Sequence, residues 1–435
     1  MIKNDTNNFF NDQETQDPLI REKLLFKDIG LKLKKITEKS VGWKNRLNKI
    51  NFEKINTRED FNNIPITRKT SFIEMQKSNF PYAGFNIKDT KEYAYMFASP
   101  GPIYEPGEKG DFWNMSSCLH AAGLRKGDLV YNTFSYHLGP AGIMIGNSAI
   151  NLGCSVLPGG VGNTDLQIET IRAVKPSFYV GTPSFLKIIL DKINENNIDV
   201  SFLKNALVGA EPFSNDLRKY FREKYKIVPL QMYGTAEVGC IAYETKDKNN
   251  QINDGMIVEE NIILEIVKPG SNQQVSNGEV GEVVVTKLDN SYPMIRLATG
   301  DLSAIIDAPS PCGRTNIRIK GWMGRAEQST KVKGIFITPE QINKLTNNFL
   351  EISKARLVIE SKDFLDDPVL ICEVNNRNNI QEEDIKAFFK SQFKLNIRVN
   401  FVNEGNIVND GIIIEDKRDK NLSLIHISEP TRQAT

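Results

Sequence analysis

The chain has 435 residues, with 55 Lys and Arg against 54 Asp and Glu and a formal net charge of +1. This balance leaves no bulk field to draw it to nucleic acid or an anionic membrane, and the length suffices for a large core spread over more than one domain. Five scattered cysteines (Cys118, Cys154, Cys240, Cys312, Cys372) without a Cys-x-x-Cys pair fit a reducing compartment rather than a disulfide framework. No apolar run nears the roughly 18 residues of a membrane span, and the polar, acid-bearing first thirty residues do not read as a secretory signal. A cytoplasmic protein is expected.

Residues 1–20, rich in Asn, Asp and Gln, are expected to form a mobile arm. Leu24 to Met75 reads as mostly helical, with apolar residues such as Leu31, Leu33 and Ile36 at mixed spacing. A strand is predicted over Tyr93–Ala98, leading into Ser99-Pro-Gly-Pro-Ile-Tyr-Glu-Pro-Gly107. Another over Leu129–Phe134 leads into Ser135-Tyr-His-Leu-Gly-Pro-Ala-Gly142, which opens a helix. Ala149–Pro158 with Gly159-Gly160, then Phe178–Pro183, continue the alternation of short strands and helices. The apolar approach Ile227–Met232 is read as a strand ending in a glycine turn at Tyr233-Gly234, with Glu237 just beyond. An acid there sits at the strand's carboxyl end, where open α/β sheets hold their ligands.

Gly255–Lys287 differs in pattern. Val258, Ile262, Leu264, Ile266 and Val283–Val285 fall in short strands, with turns at Pro269-Gly270 and Asn277-Gly278, which predicts a small antiparallel β subdomain. From Arg325 onward the order is helix (Glu340–Leu350), strands (Ala355–Glu360 and Pro368–Val374), helix (Glu382–Phe393) and strand (Ile397–Val402). The expected fold is therefore α/β: a large N-terminal α/β domain over 21–324 carrying the small β subdomain, and a small α+β C-terminal lid over 325–421. Leu422–Ala434 resembles translated sequencing-adapter read-through, so 422–435 is excluded as a non-native tail, the alternative being an ordinary polar tail.

Four blocks occur in a telling order: Gly209-Ala-Glu-Pro212, Leu230-Gln-Met-Tyr-Gly-Thr-Ala-Glu-Val-Gly239, Tyr292-Pro-Met-Ile-Arg-Leu-Ala-Thr-Gly-Asp301, and Gly324-Arg-Ala-Glu-Gln-Ser-Thr-Lys-Val-Lys-Gly334 with Pro339-Glu-Gln-Ile342. Together they resemble the adenylate-forming, AMP-binding superfamily, and more closely the phenylacetate–CoA ligases, from about Leu33 to Lys420. Ile64-Pro-Ile-Thr-Arg-Lys69 and Thr182-Pro-Ser-Phe-Leu186 match further family blocks. The resemblance implies ATP-dependent acyl- or aryl-CoA formation: a small carboxylic acid reacts with ATP to give an acyl-adenylate, and CoA displaces AMP. It implies an adenine-side loop at Gly209, Ala210, Glu211 and Pro212, an aromatic face at Tyr233 beside Gly234 and Thr235, and a ribose acceptor at Asp301. Arg325 would sit at the ribose or α-phosphate, Lys333 on the nucleotide side, and Glu237 at Mg²⁺, a hard cation suited to carboxylate oxygen. Glu327 would be the hinge of the lid. Tyr136, His137 and Gly139 lie in the block that lines the acyl pocket, although a lone loop histidine also reads as merely solvated.

The departures gather at one end of ATP. Relatives carry a Ser/Thr/Gly-rich phosphate loop where this chain keeps Ser99 and Gly101 but inserts Pro100, Pro102 and Pro106, which lack an N–H, and adds Glu105. The same stretch also reads as a stiff surface turn. Ala236 stands where the hydroxyl residue precedes the motif's Glu, and Ile412 where an essential lysine belongs, with Lys417 five places on. Thr245 replaces a cysteine of the metal cluster some relatives hold, so no structural zinc is expected. Besides the full ligase, a degenerate AMP- or acyl-adenylate-binding protein, or a half-enzyme competent only for thioester formation, fits these residues. The oligomeric state is not readable.

Overall fold

Short runs rich in β-branched and aromatic residues build a parallel sheet, Leu129–Asn132, Ser155–Pro158, Phe178–Gly181, Asn205–Val208 and Leu230–Thr235. In space the order is Ser155–Pro158, Leu129–Asn132, Phe178–Gly181, Asn205–Val208, Leu230–Thr235. The intervening helices Ala141–Asn151, Thr164–Val174 and Pro183–Glu195 cover the sheet, which explains why Phe178–Gly181 is buried throughout. Pro183–Glu195 shows how the sequence sets such a helix. Thr182 accepts from the Phe185 N–H, Pro183 occupies the first turn, and Leu186, Ile189, Leu190 and Ile193 repeat along the buried face. This unit ends at Met323, and a second unit begins at Gly324. The computed structural model describes residues 8–99, 103–211, 213–247, 249–268, 271–323, 326, 330–332, 335–337, 342, 345–346, 348–362, 365–374, 380–408 and 412–418.

The predicted glycine turn at Tyr233-Gly234 is corrected. The strand runs on to Thr235 and returns antiparallel as Gly239–Tyr243, with a register shift at Tyr233/Gly234. A Cβ on Gly234 would lie 2.4 Å from the Gly239 carbonyl, so the glycine serves close backbone approach within a bulged hairpin. Met256–Val258, Arg318–Ile319 and Ile305–Ile306 extend the same sheet to nine strands. Val258 thus belongs to the main sheet rather than to the small subdomain expected from residue 255.

A separate four-stranded sheet has the order Thr67–Arg68, Met294–Ser303, Gly281–Lys287, Ile262–Val267. Only its first pairing is parallel. Ile262, Leu264, Ile266, Val283 and Val285 pack in one core with Phe26, Leu33, Trp43 and Phe61 from the N-terminal helices. The arm expected over 1–20 also needs correction where it is described. Pro18–Phe26 is already helix, and Glu14 is fully buried, accepting from Tyr243 Oη at 2.8 Å and Arg314 Nε at 3.0 Å. Its polar composition concealed an acid whose partners lie 229 and 300 residues away.

In the second unit, Arg398–Val402, Leu365–Val374, Ile352–Lys362 and Ile414–Asp416 form a four-stranded sheet in that order. Helix Glu382–Phe393 has the predicted bounds, and Ile385, Phe389 and Phe393 on one face meet Leu357, Leu370 and Cys372. Much of the helix expected over Glu340–Leu350 lies outside the described residues, as does the tail from 422. Among the described residues, no helix is long and apolar enough to cross a membrane.

Candidate active site

The hairpin Leu230–Thr235/Gly239–Tyr243 brings two of the sequence blocks together. Tyr233, buried on the first strand, places its hydroxyl 3.0 Å from Oδ2 of Asp301 and 3.2 Å from Thr299 Oγ1, 68 and 66 residues further along. The charged acceptor is the stronger partner for the single phenolic proton. Asp301, itself buried, takes a second hydrogen bond on Oδ1 from the Trp322 indole N–H at 3.0 Å. A carboxylate held at one lone pair of each oxygen keeps further acceptor capacity on both, which suits a pair of neighbouring hydroxyls.

Four residues beyond Tyr233, Glu237 sits in the hairpin turn. Trp113 braces that turn: its carbonyl accepts from the Cys240 N–H at 2.9 Å, and its indole donates to the Ala236 carbonyl at 3.3 Å. Thr235 is engaged there too, its hydroxyl accepting from the Val238 N–H. Lys69, the last residue of the Ile64–Lys69 block, places Nζ 2.7 Å from Glu237 Oε1. Neither oxygen of this buried carboxylate has a well-aligned hydrogen bond among the described residues.

Glu105 is its neighbour. Its side chain is 1% exposed, Oε2 accepts from Ser99 Oγ at 2.7 Å, and Oε1 has no partner among the described residues. Burial, reinforced by the nearby Glu237, pushes the Glu105 carboxyl up to about 8 against the opposing pull of Ser99 and Lys69. Ser99, expected to face phosphate, therefore spends its hydroxyl on a carboxyl. Tyr82 and Tyr292 add two buried hydroxyls unpaired among the described residues, and burial pushes both phenols up, Tyr82 to about 12.

Other predicted residues lie on neighbouring stretches of the first unit. Gly209 and Ala210 follow the strand Asn205–Val208, with Ala210 at φ 65°, and Glu211 accepts from the Ser184 hydroxyl at 2.6 Å. That bond joins the Gly209 block to the Thr182-Pro-Ser184 block. Tyr136 donates its ring to a glycine floor, since a Cβ on Gly142 would meet it at 2.8 Å, and its hydroxyl accepts from Asn132. The adjoining turn is tied to the Ser99 strand by a 3.0 Å bond from the Ala98 N–H to the Leu138 carbonyl. His137 is exposed, and Gly139 lies in the same turn. Gly101, Pro212, Arg325, Glu327 and Lys333 lie outside the described residues. In the second unit Ile412 is 38% exposed, and Lys417 Nζ stands 3.5 Å from Glu415. Cys312 lies beside Thr245; burial raises its thiol, but hydrogen bonds to Ser310, Thr245 and Arg314 outweigh that and lower it.

Sequence reasoning missed Lys69, Thr299 and Trp322 as site residues. Lys69 closes a block that was matched to the family, and that was the available signal. Nothing local to Trp322 marks its partner.

A family profile described as AMP-binding enzyme matches residues 113–289. The phenylacetate–coenzyme A ligase of Pseudomonas putida is 30% identical over 314 residues, 68% of this chain and 68% of that one. The chain belongs to the phenylacetate–CoA ligase family of AMP-binding enzymes. The Aromatoleum evansii phenylacetate–coenzyme A ligase is 27% identical over 387 residues, covering 83% of this chain and 86% of its own. In three dimensions the chain resembles 2-hydroxyisobutyryl-CoA ligase, solved with 2-HIB-AMP and CoA, with a TM-score of 0.72, 20% identity and coverage of 95% and 93%. At that identity the likeness speaks to the fold, which is the adenylate-forming one. The family is one of acid–thiol ligases.

Proposed function

We propose that the protein binds an adenosine nucleotide and a small aryl or acyl carboxylic acid, and acts as an ATP-dependent CoA ligase through an acyl-adenylate. The observation that carries this reading is the Tyr233–Asp301 hydrogen bond, which joins two family blocks at the carboxyl end of the sheet. In it, Asp301 accepts the ribose hydroxyls, Tyr233 flanks the base, and Gly209, Ala210, Glu211 and Pro212 border the adenine. Arg325 meets the ribose or α-phosphate, Lys333 lies on the nucleotide side, Glu327 is the hinge of a lid over 325–421, and Tyr136, His137 and Gly139 border the acid. The buried, incompletely paired Glu237 fits a hard divalent cation, which when bound would neutralise charge on the phosphates. No nucleic-acid or membrane partner is proposed, and the five free cysteines accord with a cytoplasmic location.

Calorimetry with AMP tests the nucleotide reading. Asp301→Ala is expected to weaken AMP binding by about 1–3 kcal/mol, the cost of leaving hydrogen-bond partners of a charge unpaired. An affinity indifferent to that change would remove Asp301 from the site.

A second reading, a half-enzyme, is favoured by the Ser99–Glu105 bond, because it takes that hydroxyl from a triphosphate and sets an acid beside Glu237 where the phosphates would lie. Passing the acyl group from a finished adenylate to CoA mainly requires two bound reactants to be positioned, a demand independent of the outer phosphates. Protein mixed with synthetic phenylacetyl-adenylate and CoA is expected to form thioester and release AMP faster than a protein-free control. No excess thioester from any of a panel of aryl and acyl adenylates, despite measurable AMP binding, would leave a non-catalytic binding protein as the better account.

A further inference from the structure

We infer that Trp322 is a positioning residue of the nucleoside site, which sets how strongly the protein prefers a nucleotide bearing both ribose hydroxyls. The inference rests on the nucleotide reading above and adds a residue that none of the sequence blocks assigns.

Backbone geometry delivers the side chain. After the strand Arg318–Ile319, the Lys320 N–H bonds to the Ala304 carbonyl at 2.9 Å, and the Met323 N–H bonds to the Leu302 carbonyl at 2.9 Å. Residues 320–323 are thereby laid along the strand end that carries Asp301. Gly321 has φ 83°, a left-handed conformation that a side chain resists, and this turn directs the indole of Trp322 to Asp301. Lys320 and Met323 are exposed while Trp322 is half-buried, so the large apolar ring is the member of this segment turned inward.

The chemistry follows from where the two donors sit. Tyr233 Oη holds Oδ2 and Trp322 Nε1 holds Oδ1, so the carboxylate plane is fixed at both ends. Each oxygen has further acceptor capacity. A vicinal diol, whose two hydroxyls must meet the two oxygens together, binds best to a carboxylate whose plane is already set. Without the indole N–H the carboxylate loses the donor that meets Oδ1, its plane is less firmly set, and the diol must supply more of that ordering on binding. The effect falls on the diol and spares the rest of the nucleotide.

The test compares AMP with 2′,3′-dideoxyadenosine 5′-monophosphate on the full chain by calorimetry. Trp322→Phe keeps a ring but lacks the N–H. It is expected to weaken AMP about tenfold, the scale of one hydrogen bond to a charged group, and to leave the dideoxy nucleotide unchanged. Trp322→His restores a ring N–H and is expected to recover part of the AMP preference. Equal weakening of both nucleotides, or a preference unchanged in both variants, would overturn the role of Trp322 while the nucleotide reading stands. Failure of the wild-type protein to bind AMP would instead remove the nucleotide reading, and this inference with it.

Discussion

ATP–pyrophosphate exchange by this protein is expected to run at least about 10²- to 10³-fold below that of a phenylacetate–CoA ligase assayed alongside, with any of a panel of aryl and acyl acids. Loss of one group that meets transition-state charge typically costs that much, and here several departures converge on the phosphate end. Ile412 stands where the family's lysine belongs, and Ala236 where its hydroxyl does. The hydroxyl of Ser99, kept from the phosphate loop, donates to Glu105 at 2.7 Å. Glu105 in turn lies against Glu237, with Lys69 Nζ at 2.7 Å from the latter. Ionised, Glu105 repels a triphosphate; protonated, it still supplies no cation to one. Exchange at the ordinary rate would refute the expectation. If Lys417→Ala then abolished that exchange, the half-exposed Lys417 would be the replacement cation.

What was legible in the sequence follows the range of the forces involved. Helix Glu382–Phe393 was readable to the residue because its apolar repeat and its burial lie within one element. The alternation of strands and helices from Leu129 to Thr235 was likewise local, and so was the order of the family blocks. What escaped depends on contacts across long sequence separations. Glu14 looked like part of a solvated arm, because nothing near it announces Tyr243 or Arg314. Gly234 looked like a turn, since a glycine needed for close strand approach and one needed for a positive φ are the same letter. Glu105 was visible as an unwelcome charge in a phosphate loop, yet its burial against Glu237 needed the fold of both strands. Trp322 reaches Asp301 only through a turn whose direction is set by pairing with another strand.

Arg296→Met is expected to lower the stability of the N-terminal unit by about 3–5 kcal/mol, the usual cost of removing one partner of a buried ion pair. Arg296 lies inside the Tyr292–Asp301 block, and both it and Glu265 are fully buried. Its guanidinium meets Glu265 at 2.9 and 2.7 Å and also donates to the carbonyls of Asn62 and Ile64. It thus ties the strand that carries Asp301 to the segment that leads to Lys69. The methionine variant leaves the Glu265 carboxylate in the core without its cation, which is where the penalty arises. Urea unfolding followed by tryptophan fluorescence, with Trp43, Trp113 and Trp322 all in the first unit, reads the loss as a lower midpoint. Arg296→Met with Glu265→Leu removes both charges, and this double variant is expected to recover much of the stability. Arg398→Met, at a pair half-exposed in the second unit, should leave this tryptophan transition in place. A midpoint for Arg296→Met equal to the wild type would show that the pair is not the strut between these two parts of the site.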